Sequence, residues 1–146
     1  MPVELTKVAY VTSATAHGGR TGHVRSGDGL IDVDLGRPGA TSEPMVNPET
    51  LFAAGYASCF QNALINRARA AGVDASQSEV TATVSFGPSA DGGFGLAVAL
   101  TAAIPGVEPD QAHELLELAH QYCPYSKATR GNIAVTVGLA ESADVS

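Results

Sequence analysis

The chain has 146 residues, enough for one domain with a full core, because folding at this length buries about 70% of the unfolded surface. With 45% hydrophobic and 16% charged residues it reads as a globular protein, and no apolar run is long enough for a transmembrane helix. The net charge is −7 and the eight basic residues form no stripe, which leaves out the electrostatic footprint of a nucleic-acid binder.

The start, Met1-Pro2-Val3-Glu4, has no basic region leading into an apolar run, so no secretory signal is read there and the expected location is cytoplasmic. Residues 7–12 and 23–26 read as short strands. Residues 30–35 alternate, with Ile31, Val33 and Leu35 on one face and Asp32 and Asp34 on the other. Ser26-Gly27-Asp28-Gly29 is a turn between two of these strands. Residues 36–46, rich in proline and glycine, cannot continue a strand and are long enough to cross the molecule or reach a neighbour.

Asn47-Pro48-Glu49 predicts a helix start, with Asn47 as the cap, Pro48 at the first helical position and an acid in the first turn. The helix should run to about Ala71 and stop at Gly72. Residues 51–60 are apolar nearly all round, which predicts a helix buried in the core. Residues 79–86 and 94–101 alternate around a glycine- and proline-bearing loop, predicting an antiparallel pair. A second helix opens at Pro109-Asp110, with Ala112, Leu115, Leu116, Ala119 and Tyr122 at helical spacing, and Pro124 should end it just after Cys123. Past a turn at residues 129–132, Ile133, Val135, Val137 and Leu139 form a closing strand. The order βββ-α-ββ-α-β, with consecutive hairpins and few crossovers, predicts a single α+β domain over residues 1–146.

Chemistry concentrates on two cysteines. Cys59 lies about ten residues inside its helix, beyond the reach of the helix dipole. In apolar surroundings it is either a small core hydrophobe or, given a cation or donor to stabilise the thiolate, a nucleophile. Cys123 precedes a proline at a helix end, either an incidental cysteine or a thiol placed where it can swing. In a reducing compartment such a pair points to redox or metal chemistry rather than to a structural staple. Their wide spacing matches neither a Cys-x-x-Cys motif nor a common zinc pairing, so no metal is expected. Among the histidines His17, His23, His113 and His120 no ligand spacing stands out, and His113 and His120 read as solvated.

The cation is sought first at Arg20, where Gly18-Gly19 and Gly22 let the backbone turn tightly and aim a guanidinium inward. Lys127 and Arg130 are the next candidates. Glu49 either complements the helix dipole or orients an arginine through a two-pronged pair.

Four segments carry a resemblance: Ala16-His17-Gly18-Gly19-Arg20-Thr21-Gly22; Asn47-Pro48-Glu49-Thr50-Leu51-Phe52-Ala53-Ala54-Gly55-Tyr56-Ala57-Ser58-Cys59-Phe60; Phe94-Gly95-Leu96; and Cys123-Pro124-Tyr125-Ser126-Lys127-Ala128-Thr129-Arg130-Gly131-Asn132-Ile133. Across essentially the whole chain they resemble the organic hydroperoxide resistance (Ohr) proteins of the OsmC-like superfamily. Residues 39–46 depart from the glycine-rich run usual there.

The resemblance implies a thiol peroxidase without metal or bound cofactor, built as an intertwined homodimer. It implies Cys59 as the peroxidatic and Cys123 as the resolving cysteine, with Arg20 and Glu49 paired and positioning the thiolate. It also implies recycling by dihydrolipoyl groups on carrier proteins. The apolar surroundings, Phe52 and Phe60 with Met45 and Phe94, suggest a pocket for organic hydroperoxides. Two other classes stay open: a cysteine hydrolase using His120 as base, and a non-enzymatic module binding a hydrophobic ligand.

Overall fold

The computed structural model describes residues 2–39 and 43–140. The chain divides between Leu51 and Phe52 into two compact units.

The first unit holds a three-stranded antiparallel sheet in the order β1 (Ala14–His17), β2 (His23–Ser26), β3 (Asp32–Asp34). The strand expected at residues 7–12 is absent, and β1 begins at Ala14 instead. The reason is pairing: β2 stops at Ser26 opposite Ala14, so residues 7–12 face no strand among the described residues. Between β1 and β2 one 3₁₀ turn, Gly19–Thr21, presents Arg20. Only glycine fits there: Gly18 and Gly19 take φ of 79° and 62°, and a Cβ on Gly22 would fall 1.7 Å from the His17 carbonyl oxygen.

The Ser26 to Gly29 turn forms as read, closed by the Gly29 N–H on the Ser26 carbonyl at 2.9 Å. At residues 36–46 the described ends of the segment meet. Leu35 and Val46 form a parallel bridge, and the Gly36 N–H donates to the Val46 carbonyl at 3.0 Å, so the two ends return to one place. Ala40, Thr41 and Ser42, which belong to this segment, lie outside the described residues.

Helix α1 spans Pro48–Ala70. Its cap is Asn47, whose side-chain oxygen accepts the Thr50 N–H at 2.8 Å. It ends in a Schellman turn, with Gly72 at φ 78° and the Val73 N–H on the Ala68 carbonyl at 2.8 Å. In the second unit α1 buries one stripe, Tyr56, Phe60, Ala63, Leu64 and Ala68. Full burial was expected, yet Ala54 and Ser58 on the other side are exposed, because the core of this chain covers one face only.

The second sheet runs β4 (Glu79–Pro88), β5 (Phe94–Ala103), β6 (Val135–Leu139). Strands β4 and β5 are an antiparallel hairpin with Val84 opposite Val98, whereas β6 joins β5 in parallel with Val137 opposite Leu100. The helices α2 (Pro109–Tyr122) and α3 (Pro124–Thr129) make the crossover that a parallel return requires. The second of these was not anticipated. Pro124 stops α2, but its fixed φ also suits the first position of a new helix.

The core gathers Tyr56, Phe60 and Leu64 from α1, Val98 and Leu100 from β5, and Leu115 and Leu116 from α2. Each such large side chain contributes about 1.5–3 kcal/mol through burial. The architecture is α+β, and among the described residues no helix is long and apolar enough to cross a membrane.

Candidate active site

The α2–α3 joint carries Cys123, extended at φ −66° and ψ 125°, onto α1. Its sulfur lies 3.5 Å from that of Cys59, and both thiols are free. A disulfide needs a separation of about 2.05 Å, so bond formation takes a further approach of about 1.5 Å. Cys123, read as a thiol placed to swing at a helix end, is fully buried, because α3 folds straight back over α1 and shuts the joint inside. Cys59 is half-buried.

Burial pushes the Cys59 thiol above its ordinary pKa, since the charged form is poorly solvated there. The Tyr125 backbone N–H donates to the same sulfur and pulls the other way, while the neighbouring Cys123 thiol adds to the upward push. Burial outweighs that backbone contact and disfavours the charged form of Cys59.

In the first unit Arg20 and Glu49 form a two-pronged ion pair, Nη1 to Oε1 at 2.7 Å and Nη2 to Oε2 at 2.8 Å. The 3₁₀ turn presents the guanidinium, and the first turn of α1 presents the carboxylate. The hydrogen bond from Arg20 holds the Glu49 carboxyl below the usual range despite an opposing desolvation cost, and the same bond raises the pKa of the arginine. Of the other cations considered, Arg130 donates from Nη2 to the His120 carbonyl at the end of α2, and Lys127 is exposed.

Around the sulfurs the wall is aromatic. The Tyr125 ring lies 6.2 Å from that of Phe52 and 5.7 Å from that of Tyr56. Gly55 makes this possible, since a Cβ there would sit 2.8 Å from the Tyr125 hydroxyl. Phe60 is wholly buried with its ring 6.5 Å from His120. Phe52 and Phe60 thus share the core that both cysteines join. Phe94 lies elsewhere: it is 67% exposed and stacks on Phe86 across the β4–β5 hairpin at 5.1 Å. Met45 belongs to the first unit and packs on Gly36, where a Cβ would approach its sulfur to 2.7 Å.

His120 is half-buried rather than solvated, its pKa lowered by burial, and its Nδ1 is engaged with the Ser126 hydroxyl at 2.8 Å. Ser126, Tyr56 and Tyr125 were given no role on sequence. The signal for them was Pro124, which read as a helix start would have turned the following residues back onto α1. Among the described residues no group of three or more His, Cys, Asp or Glu side chains is arranged to hold a metal.

The family described as OsmC-like protein matches residues 40–138. Over 133 residues the chain is 43% identical to the organic hydroperoxide resistance protein OhrB of Bacillus subtilis (strain 168), covering 89% of this chain and 97% of that protein. It is 44% identical over 140 residues to an organic hydroperoxide resistance protein of Xanthomonas axonopodis pv. citri (strain 306), covering 92% and 96%. The crystal structure of the Bacillus subtilis OhrB superposes with a TM-score of 0.86 at 41% identity, covering 91% of this chain and all of that one. That of an organic hydroperoxide resistance protein from Elizabethkingia anophelis, with crystallant-derived thiocyanate bound, superposes with a TM-score of 0.86 at 46% identity, covering 92% and 99%.

Proposed function

The chain belongs to the organic hydroperoxide resistance family of OsmC-like proteins, and from that premise we propose that it is a thiol peroxidase reducing alkyl and lipid hydroperoxides to alcohols. The observation that carries the reading is the 3.5 Å separation of the Cys59 and Cys123 sulfurs.

Cys59, as the thiolate, attacks the distal oxygen of the hydroperoxide. The S–O bond forms, the O–O bond breaks, and the leaving alkoxide takes a proton to become the alcohol, so that sulfur is oxidised to a sulfenic acid and peroxide is reduced. Cys123 then attacks the sulfenic sulfur, forming the Cys59–Cys123 disulfide and expelling hydroxide, which leaves as water. A dithiol carried on a dihydrolipoyl group exchanges with this disulfide and restores both thiols, becoming oxidised itself.

In this reading Arg20, oriented by Glu49, supplies the charge that Cys59 needs, and it stabilises negative charge developing on the peroxide oxygens. The opposing effects on the Cys59 pKa support the need: one backbone donor does not outweigh burial. Phe52 and Phe60, which share the core with both cysteines, would favour a carbon-bearing peroxide over hydrogen peroxide. No metal or bound cofactor takes part.

A cytoplasmic homodimer is part of the proposal. The support for the dimer is apolar surface that one chain leaves open: in the first unit Leu5, Tyr10, Val11 and Leu30 are 79–85% exposed.

The test follows turnover with dihydrolipoamide as reductant and either tert-butyl hydroperoxide or hydrogen peroxide as oxidant. Turnover at least tenfold faster with the organic peroxide is expected, and loss of activity in Cys59→Ser. Reduction of neither peroxide would sink the proposal.

A further inference from the structure

Four side chains from three helices form one largely buried chain of hydrogen bonds, and its last link sets its direction. The Thr129 hydroxyl donates to the Ser126 backbone carbonyl at 3.3 Å. Its oxygen therefore accepts the Tyr56 hydroxyl proton at 3.1 Å. Tyr56, with its one proton committed, accepts from the Ser126 hydroxyl at 2.8 Å. Ser126 in turn accepts from His120 Nδ1–H at 2.8 Å. Every contact is satisfied only in this order, and the order requires the Nδ1–H form of His120.

The chain ties α3 down. Six residues cannot sustain a helix alone, yet Ser126 joins α3 both to Tyr56 of α1 and to His120 of α2. Tyr56 and Ser126 are fully buried, so a broken link strands a polar group away from water. The position of α3 matters because both sulfurs depend on it. Cys123 is the residue just before it, and Tyr125, whose backbone amide acts on the Cys59 sulfur, is the residue just before Ser126.

We infer that Ser126 is a positioning residue for the thiol chemistry: with Tyr56 and His120 it docks α3 so that the Tyr125 N–H meets the Cys59 sulfur and Cys123 stays within reach of it. Ser126 touches neither sulfur and acts through its neighbours. The inference rests on Cys59 being the attacking thiol.

Two variants and one measurement on the unaltered protein test it. In a Cys123→Ser background, the rate of Cys59 alkylation by iodoacetamide is followed against pH, with and without Ser126→Ala or Tyr56→Phe. Loss of the docked N–H raises the apparent pKa by about one unit, about tenfold less thiolate below it. With Cys123 present, disulfide closure after one equivalent of tert-butyl hydroperoxide slows by about tenfold. A merely structural role would lower the melting temperature and leave the alkylation profile in place.

Folded variants whose pKa and closure rate both stay within twofold of the parent overturn the inference. In the unaltered protein at pH 8, ¹⁵N shifts of the His120 ring should report the Nδ1–H tautomer; the Nε2–H tautomer overturns the chain even if neither variant folds. Alkylation needs no peroxide, so a protein that reduces no hydroperoxide still gives a Cys59 pKa, and the two failures remain distinguishable.

Discussion

Cys59 and Cys123 stand 64 positions apart in the chain, and their sulfurs lie 3.5 Å apart. The closeness is built by α3: Pro124 turns the chain back, the Tyr125 ring settles over Gly55, and the α2–α3 joint carrying Cys123 is shut against α1. Closing a loop of this length by a disulfide restricts the unfolded chain by about 4 kcal/mol. Oxidised protein is therefore expected to unfold at higher urea than reduced protein, by about 2–4 kcal/mol after allowance for strain. Urea denaturation with and without reductant measures the difference, and an oxidised form less stable than the reduced one would contradict it.

The Arg20–Glu49 pair predicts that Arg20→Lys is not conservative. Lysine keeps the charge but cannot make the two-pronged contact. The second-order rate of Cys59 oxidation by tert-butyl hydroperoxide, taken by stopped flow, should fall about 10- to 100-fold. An unchanged rate would remove Arg20 from the account.

Glu49 also sets an acid limit. Its folded pKa is depressed by the Arg20 hydrogen bond, so the stability it contributes is present above the ordinary carboxylate range and is lost as pH falls through the folded value. Glu49→Gln should flatten the acid side of the stability curve measured by urea melts between pH 3 and 6, a range on the order of the reference value.

His23 carries the opposite sign. Its Nδ1 lies 2.7 Å from Asp34 and its Nε2 2.5 Å from Asp32, so both nitrogens must be protonated to satisfy both carboxylates. The hydrogen bond to Asp34, then that to Asp32, raises the pKa. The stabilisation of the β2–β3 pair is thus complete below the ordinary histidine value of about 6.5 and lost as pH rises through the folded value. The groups are exposed and Arg25 also approaches Asp32 at 3.7 Å, so the effect is small and salt-dependent. An NMR titration of the His23 ring should give a pKa above that of a histidine peptide; a lower one would contradict the clamp.

Gly55→Ala separates packing from chemistry. Alanine favours the helix by about 0.5–1 kcal/mol, but its Cβ would press on the Tyr125 hydroxyl at 2.8 Å and move the ring. Stability within about 1 kcal/mol of the parent with severalfold slower Cys59 oxidation is expected; full speed would show that the Tyr125 ring is dispensable.

Sequence showed some of this directly and hid the rest for physical reasons. The limits of α1 were legible because Asn47, Pro48 and Gly72 act locally, each through its own backbone geometry. Alternation showed β4 and β5 but not the direction of β6, since parallel pairing depends on where the α2–α3 crossover delivers the chain. Residues 7–12 read as a short strand, yet a strand needs a partner in register, which propensity does not report. Residue type pointed to Cys59, Cys123, Arg20 and Glu49 as candidates and to His120 as a base, whereas Tyr56 and Ser126 act through contacts between separate helices and leave no mark at short range.

The most direct test of the central claim is peptide mapping by mass spectrometry after fully reduced protein receives one equivalent of tert-butyl hydroperoxide. The account predicts loss of two thiols per chain and a disulfide joining the Cys59 and Cys123 peptides, with none formed in Cys59→Ser. Retention of both thiols, or oxidation of Cys59 that never passes to Cys123, would contradict it.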